Sequence, residues 1–487
     1  MKLPARTQVA VVGSGAGGAV TALELAKAGH EVCVFEEGNR LGLSDYGLPL
    51  PLAMKRLYRR TGMTPIRGGV PIGYVEGSCV GGSTEINSGF WQRTTAPVLD
   101  DWKDRFGLVG ASEEDLAPHY QWSEELLHVS VRARPFPPST EVFIRGAENA
   151  GMTAIPIQRV EKGCRNLNLC ASGCPEGRKQ GMSVSLLPEA EKAGVRIFSR
   201  CHVTKIEMEG DRVKSLLVKA RNDTGGHETS RVAADVVFVC AGPTASPALL
   251  LQSGFKHNTG KSLGTHPMLK VAARFDTEIN AHKSVLPLVQ VKDLEDITLG
   301  GSLFTPGHLA LVLSENGQVS PRLMKQYKQM ALYYVAVKGS GTGSVSVCRS
   351  EKGVPRIYYR LSKGDLAMLG HGLAKLCEIL FRAGAVEVIP AIYGATPLKK
   401  EKEGLVFAKR PPDKHRLGLT TVHAFSTCPS GENKDLCATD SFGKVQGTQN
   451  LYVNDASIMP TSPGVNPQGT VMALARRNVR AYMEKEK

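Results

Sequence analysis

An apolar run, Gln8–Val12, leads straight into Gly13-Ser14-Gly15-Ala16-Gly17-Gly18, and this junction narrows the possible architectures more than any other segment. A run that is apolar at every position reads as a strand buried on both faces, as in parallel sheets covered by helices. The loop matches G-x-G-x-x-G at Gly13, Gly15 and Gly18. A helix over Ala19–Ala28 follows, closed by Gly29, and then a second strand over Glu31–Phe35 that ends at Glu36. In such a strand–turn–helix–strand unit the glycines permit the tight turn. They also bring backbone N–H groups and the positive end of the helix dipole against a pyrophosphate. Glu36 stands 18 residues after Gly18, near the ~20 at which a carboxylate meets a ribose hydroxyl. Its charge opposes a 2′-phosphate and disfavours NADP, whereas FAD and NAD both satisfy the pattern.

The remaining length is considerable. The chain has 487 residues, 42% of them hydrophobic, enough for two or three packed domains and inconsistent with a disordered polymer. Its formal net charge of +14 invites an acidic partner. Basic residues concentrate at Lys55–Arg60 and Lys399–Arg416, which read as solvated surface compensating cofactor phosphates. Docking to an acidic membrane leaflet or acceptor is the alternative. No nucleic-acid motif accompanies them. No apolar run is long enough to span a bilayer, and Met1–Thr7 carries no secretory leader pattern. Eleven cysteines, an odd number, argue against a disulfide framework. The expectation is a soluble cytoplasmic protein, or one peripheral to the membrane.

One dinucleotide fingerprint is evident. The nearest second candidate, Gly339–Ser344, lacks the final glycine and lies between two β-like runs, so it reads as a hairpin turn. With one such site, electrons would come from a substrate held by the rest of the chain. A second glycine- and serine-rich loop, Gly77–Gly89, suits phosphate or ring contacts. Asp235–Cys240 reads as another buried strand, ending at Ala241-Gly242-Pro243, and a helix follows that stops at Ser253-Gly254.

Four segments, GSCVGGSTEINSGFW, VVFVCAGPTASPALLLQSG, SLGTHP and LYVNDASIMPTSPGVNPQGTVMALARRNV, resemble signatures of glucose–methanol–choline (GMC) oxidoreductases and occur in the family's order. The resemblance implies an α/β fold. A discontinuous Rossmann-like FAD domain (1–90, 190–265 and 415–487) would carry an inserted α+β substrate domain (91–189 and 266–414) built on an antiparallel sheet. It implies oxidation of an alcohol, with His423 as general base and Asn466 holding the alcohol or alkoxide oxygen. FAD contacts would fall on Gly81, Gly82, Ser83, Asn87, Val203, Ala241, Gly242, Asp455, Ala456, Pro467 and Thr470, besides Gly13, Gly15, Gly18 and Glu36. Pro467 and Thr470 would open a helix whose N-terminus faces the flavin pyrimidine. The Gly81–Asn87 loop has no His, so FAD would be noncovalent. After His423 the family's Gly-Thr-x-Arg-Met-Gly is replaced by Ser426–Gly431, with Pro429 and Ser430 at the Arg and Met positions.

The loop 163–175 gathers Cys164, Cys170 and Cys174. Such thiolates in a turn-rich segment resemble the cluster loop of FAD-dependent glucose dehydrogenase flavin subunits, implying a three-iron iron–sulfur cluster. Inert packing, zinc with His202, or redox regulation are the alternatives. Ala331–Val337 and Ser344–Cys348 read as strands, and Ser362–Ala383 as an amphipathic helix over an antiparallel sheet; His371 on it reads as structural. The functional reading is an FAD-dependent dehydrogenase of a CH–OH donor (an alcohol, sugar or sterol) passing electrons to a cytochrome, quinone or other acceptor. An oxygen-using oxidase, or an electron-transfer flavin subunit without alcohol chemistry, are the alternatives.

Overall fold

The computed structural model describes residues 2–222, 224–348 and 353–486. Its first sheet begins with Arg6–Val12, whose four C-terminal residues are buried. This strand pairs in parallel with Val32–Phe35 on one side (Val9 opposite Val32) and with His227–Val239 on the other (Val9 opposite Val236). Arg196–Phe198 extends the parallel set beyond Val32–Phe35, and Leu451–Val453 pairs in parallel with the end of His227–Val239. Cys201–Glu209 and Arg212–Arg221 add an antiparallel edge, giving seven strands. The helix Ala16–Lys27 covers this sheet so closely that a Cβ on Gly17 would stand 2.0 Å from the Asn454 carbonyl oxygen, and one on Gly18 2.0 Å from that of Gly13. Only glycine permits that approach.

A second, nine-stranded sheet forms the other half, with Met268–Phe275, Met330–Val337, Ile297–Gly301 and Val289–Val291 at its antiparallel centre. Alternate residues point to opposite faces. Val335, Ile297 and Leu299 face the helix Lys363–Arg382, where Gly372 lets the strands approach: a Cβ there would lie 2.5 Å from Val335 Cγ1. This helix is capped by Ser362, whose hydroxyl accepts from Asp365 N, and it covers the sheet as the apolar spacing predicts; His371 on it is exposed. Met268 and Lys270, Tyr334 and Ala336, Thr298, and Gln290 and Lys292 take the opposite face and line a cavity.

Three sequence readings are corrected by the pairing. Tyr58–Ile66 and Ile72–Gly77, assigned to the dinucleotide half, belong to the second sheet, where Ile72–Gly77 runs parallel to Leu419–Thr421. Conversely the helices Ala96–Phe106 and Glu113–Leu126, assigned to the substrate half, bury Leu99, Trp102, Leu116 and Tyr120 in the core of the dinucleotide half. Gly339–Ser344 is not a hairpin turn, because Met330–Val337 and Thr342–Val347 lie in different sheets. Gly339 and Gly341 instead fit against Tyr359, whose hydroxyl accepts from Gly341 N at 2.9 Å.

Candidate functional site

A cavity of about 470 Å³ runs from the first glycine loop to the polar face of the second sheet. At one end Gly13 takes φ +99°, and Gly15 has no protein atom within 4 Å of where its Cβ would be. The same openness holds at Gly242, also on the cavity wall. Such a bare backbone cradle at a helix N-terminus fits the pyrophosphate of a dinucleotide. Glu36 lines the cavity, and its carboxylate accepts from Ser14 N (3.0 Å), Ser14 Oγ (2.7 Å) and Gly38 N (2.9 Å). Burial raises its pKa above the ordinary carboxylate range. Ser14, which the motif leaves as "x", ties the site together: its Oγ also accepts from Gly81 N (3.0 Å), joining the two glycine loops.

The other predicted contacts divide. Gly82, Ser83, Asn87, Val203, Ala241, Gly242, Asp455, Ala456 and Pro467 line the cavity. Asp455 accepts from Gly242 N at 2.8 Å and from Ser457 N at 2.8 Å, and so fixes the turn after the strand His227–Val239. Asn87 donates to Gln468 Oε1 (2.6 Å), tying the second glycine loop to the helix Gln468–Lys485, whose N-cap is Pro467. Gly18, Gly81 and Thr470 stand behind the wall. The Gly81 Cβ position is filled by the Glu85 carboxylate, and Thr470 is buried with its hydroxyl against Thr94 Oγ1 (2.7 Å) and Tyr120 OH (3.1 Å). Thr470 therefore supports the helix start without facing the cavity. The altered segment after His423 also lies off the cavity: Ser430 is buried against Thr439 Oγ1 (2.9 Å).

At the far end His423 and Asn466 meet, with Asn466 Nδ2 3.3 Å from His423 Nε2. His423 lies in the turn after Leu419–Thr421. The short pairing of Thr265 with Ala424 brings His266 beside it, although 157 residues separate the two in sequence. The rings meet edge to face with Nδ1 atoms 2.9 Å apart, and His266 Nε2 lies 2.6 Å from Ser462 Oγ. As a donor, the Asn466 amide leaves His423 Nε2 unprotonated. The ring proton then sits on His423 Nδ1 and is donated to His266 Nδ1, and His266 Nε2–H is donated to Ser462. Burial lowers the pKa of His423 to about 4 and that of His266 well below the imidazole range, so both are neutral at pH 7. His266 stands in the quoted SLGTHP segment, but nothing in its spacing announces its partner.

The cavity wall holds a second feature that sequence reasoning assigned to the surface. Arg59, within the basic run Lys55–Arg60, pairs with Glu37 (2.5 Å) and Glu76 (2.7 Å), and all three side chains are largely buried. His202 lines the cavity near this group, away from the cysteine-rich loop.

The iron–sulfur and zinc readings of Cys164, Cys170 and Cys174 are set aside. Among the described residues no three Cys, His, Asp or Glu side chains converge as a metal site requires. Cys170 is buried with Arg159 Nη2 3.7 Å from its sulfur, and Lys179 Nζ donates to its carbonyl at 3.1 Å. The loop is held by packing instead: Tyr58 OH donates to Ala171 O (2.6 Å), and Gly173 abuts the Tyr46 ring.

One pH dependence follows from the cavity's histidines. Burial, reinforced by the Lys270 cation, lowers the pKa of His308 to about 4. Acidification protonates the unfolded histidine at about 6.5 before the folded one. Relative to His308→Gln, which keeps a hydrogen-bonding side chain beside Thr305 but cannot titrate, the wild type should lose stability between about pH 6.5 and 4. Chemical denaturation of both proteins across that range checks this; a constant difference would contradict it.

Comparisons with known proteins agree with this architecture. GMC oxidoreductase sequence patterns match residues 54–268 and 340–475, and a NAD(P)-binding Rossmann-like pattern matches 11–46. The uncharacterized GMC-type oxidoreductase y4nJ of Sinorhizobium fredii is 37% identical over 99% of this chain and 95% of its own. Long-chain-alcohol oxidase FAO1 of Arabidopsis thaliana is 28% identical over 96% of this chain and 65% of its own. Among solved structures, pyridoxine 4-oxidase from Mesorbium loti superposes with a TM-score of 0.77 at 19% identity, covering 98% of this chain and 99% of that one. A mutant of Aspergillus oryzae formate oxidase, solved to follow the effect of the mutation on FAD modification, gives 0.75 at 16% identity over the whole of both chains. The chain belongs to the GMC oxidoreductase family of flavoproteins.

Proposed function

We propose that the protein oxidises a CH–OH group to a carbonyl with noncovalently held FAD. The observation that carries this reading is the His423–Asn466 pair, 3.3 Å apart, on the wall of a cavity continuous with the open cradle at Gly15 and Gly242. Residues of that cradle (Gly13, Gly15, Glu36, Gly242 and Asp455) and the N-terminus of Gln468–Lys485 would hold FAD, which supplies the hydride acceptor when bound. When substrate binds, its hydroxyl takes the place of the Asn466 N–H at His423 Nε2, which accepts the proton. The Asn466 amide donates to the substrate oxygen as charge builds on it. His266 fixes the His423 tautomer, and Ser462 fixes His266.

The acceptor reading shifts with the cysteine loop. Among the described residues the three cysteines form no converging ligand set that could carry single electrons from the flavin to a cytochrome or quinone. The alcohol-oxidase relative favours oxygen. The residues after His423 that depart from the family pattern lie off the cavity, which supports alcohol chemistry there over an electron-transfer role alone.

Anaerobic titration of the purified holoprotein with a panel of alcohols tests the reading: at least one should bleach the visible flavin band, and admitting air should restore it with formation of hydrogen peroxide. Failure of every alcohol to bleach the flavin would reject it. Reoxidation by a quinone but not by air would return the acceptor to the dehydrogenase class.

A further inference from the structure

The second sheet offers the cavity a polar face, although walls such as Leu286, Leu332 and Val465 are apolar. Lys270, Tyr334, Gly300 and Gln290 are successive register partners across four strands. Gly300 leaves room for the Tyr334 ring, whose hydroxyl accepts from Gln290 Nε2 at 2.7 Å. Three lysines line this end of the cavity, and two are answered by acids or tightly bonded. Lys338 Nζ lies 3.7 Å from Asp296, and Lys270 donates to Ser302 Oγ at 2.7 Å with the Glu315 carboxylate acting on it. Lys292 differs. Its Nζ meets Gln92 Oε1 at 3.2 Å and, among the described residues, forms no ion pair. An ammonium has three N–H donors, so a half-buried one with a single neutral acceptor is poorly satisfied. Gln92 Oε1 also accepts from Asn466 N at 3.2 Å, which places Lys292 one shared acceptor away from the residue proposed to hold the reacting oxygen. His266 feels the charge of Lys292 as well.

We propose that the alcohol oxidised here carries an anionic group, a carboxylate or a phosphate, held by the ammonium of Lys292 a few bonds from the reacting carbon. The inference rests on the CH–OH oxidation proposed above. The anion supplies the acceptor that Lys292 lacks, Gln290 and Tyr334 add neutral hydrogen bonds, and the apolar walls take the substrate's carbon body. Burial lowers the Lys292 pKa, and an anionic partner reverses that shift. A purely aliphatic alcohol would leave the cation facing hydrocarbon.

The test uses the holoprotein and two readouts. In the first, calorimetry compares binding of benzoate, phenyl phosphate and benzamide. Wild type should bind one of the anions at least about tenfold more tightly than the amide, Lys292→Met should abolish the difference, and Lys292→Arg should keep most of it. In the second, anaerobic flavin reduction compares benzyl alcohol with 4-(hydroxymethyl)benzoate, and 1-butanol with 4-hydroxybutanoate and 4-hydroxybutyl phosphate. The charged member should reduce the flavin at a concentration at least about tenfold lower, with the ratio collapsing in Lys292→Met. Which anion wins separates carboxylate from phosphate. Equal binding of anion and amide, or an unchanged ratio in Lys292→Met, overturns the inference. Reduction by the neutral alcohols alone does so while leaving CH–OH oxidation standing. Tight anion binding with no bleaching by any alcohol instead overturns the oxidation reading, and the substrate assignment with it.

Discussion

Replacing His423 by alanine should slow reduction of bound FAD by substrate roughly 10²–10⁴-fold, the range expected for loss of a positioned base. FAD content should be unchanged, because Gly13, Gly15 and Glu36, proposed to hold the dinucleotide, lie at the opposite end of the cavity. His266→Ala should act more weakly and differently. It removes the acceptor of the His423 Nδ1 proton, so the tautomer is no longer fixed and the pH profile of reduction should change shape together with its height. Stopped-flow reduction of the anaerobic enzyme measures both. A His423→Ala protein that reduces at the wild-type rate would remove His423 from the chemistry.

The second large effect concerns folding. Arg59→Met should lower unfolding free energy by about 3–5 kcal/mol, because it leaves Glu37 and Glu76 in a desolvated wall without their shared counter-charge. Glu76 keeps a hydrogen bond from Thr244 Oγ1 at 2.9 Å, which satisfies one acceptor without neutralising the charge. The pairing with Glu76→Gln is informative: if the cost is that of an orphaned carboxylate, the double variant should recover part of it. Urea denaturation at saturating FAD provides the measurement, and a loss under about 1 kcal/mol for Arg59→Met would mean that water already solvates the group.

The contrast between these two residues explains what was legible in the amino-acid sequence. The first glycine loop could be read because a helix that must touch a strand and a turn at positive φ leave no alternative to glycine at Gly13, Gly17 and Gly18. Asn466 could be read because it sits in an extended signature segment, whereas His423 is proposed from the resemblance around it; the structure sets the two side by side. Arg59 could not be read: five of its neighbours in sequence are solvent-facing or basic, and only the fold reveals that Glu37 and Glu76 arrive from elsewhere. Tyr58–Ile66 and Ile72–Gly77 were placed in the wrong half for a similar reason. Their own pattern is that of a strand pair, and the sheet they join is decided by Leu419–Thr421, more than 340 residues away. Cysteine spacing misled because it specifies neither where the sulfurs point nor that Arg159 and Lys179 crowd Cys170. His266, in turn, acquires its role only through a short antiparallel pairing with the His423 turn.

The sheet membership of Ile72–Gly77 and Leu419–Thr421 has a mechanical implication. The polypeptide passes repeatedly between its two halves, and at these passages it is sewn into the second sheet by ladder hydrogen bonds. Those ladders lie within one sheet, and the repeated crossings tie the two halves together at several points along the chain. Entry and departure of small molecules then depend on side chains at the cavity's rim, such as Met63, Leu311 and Val422. Bulk at those three positions should govern how fast reactants are exchanged.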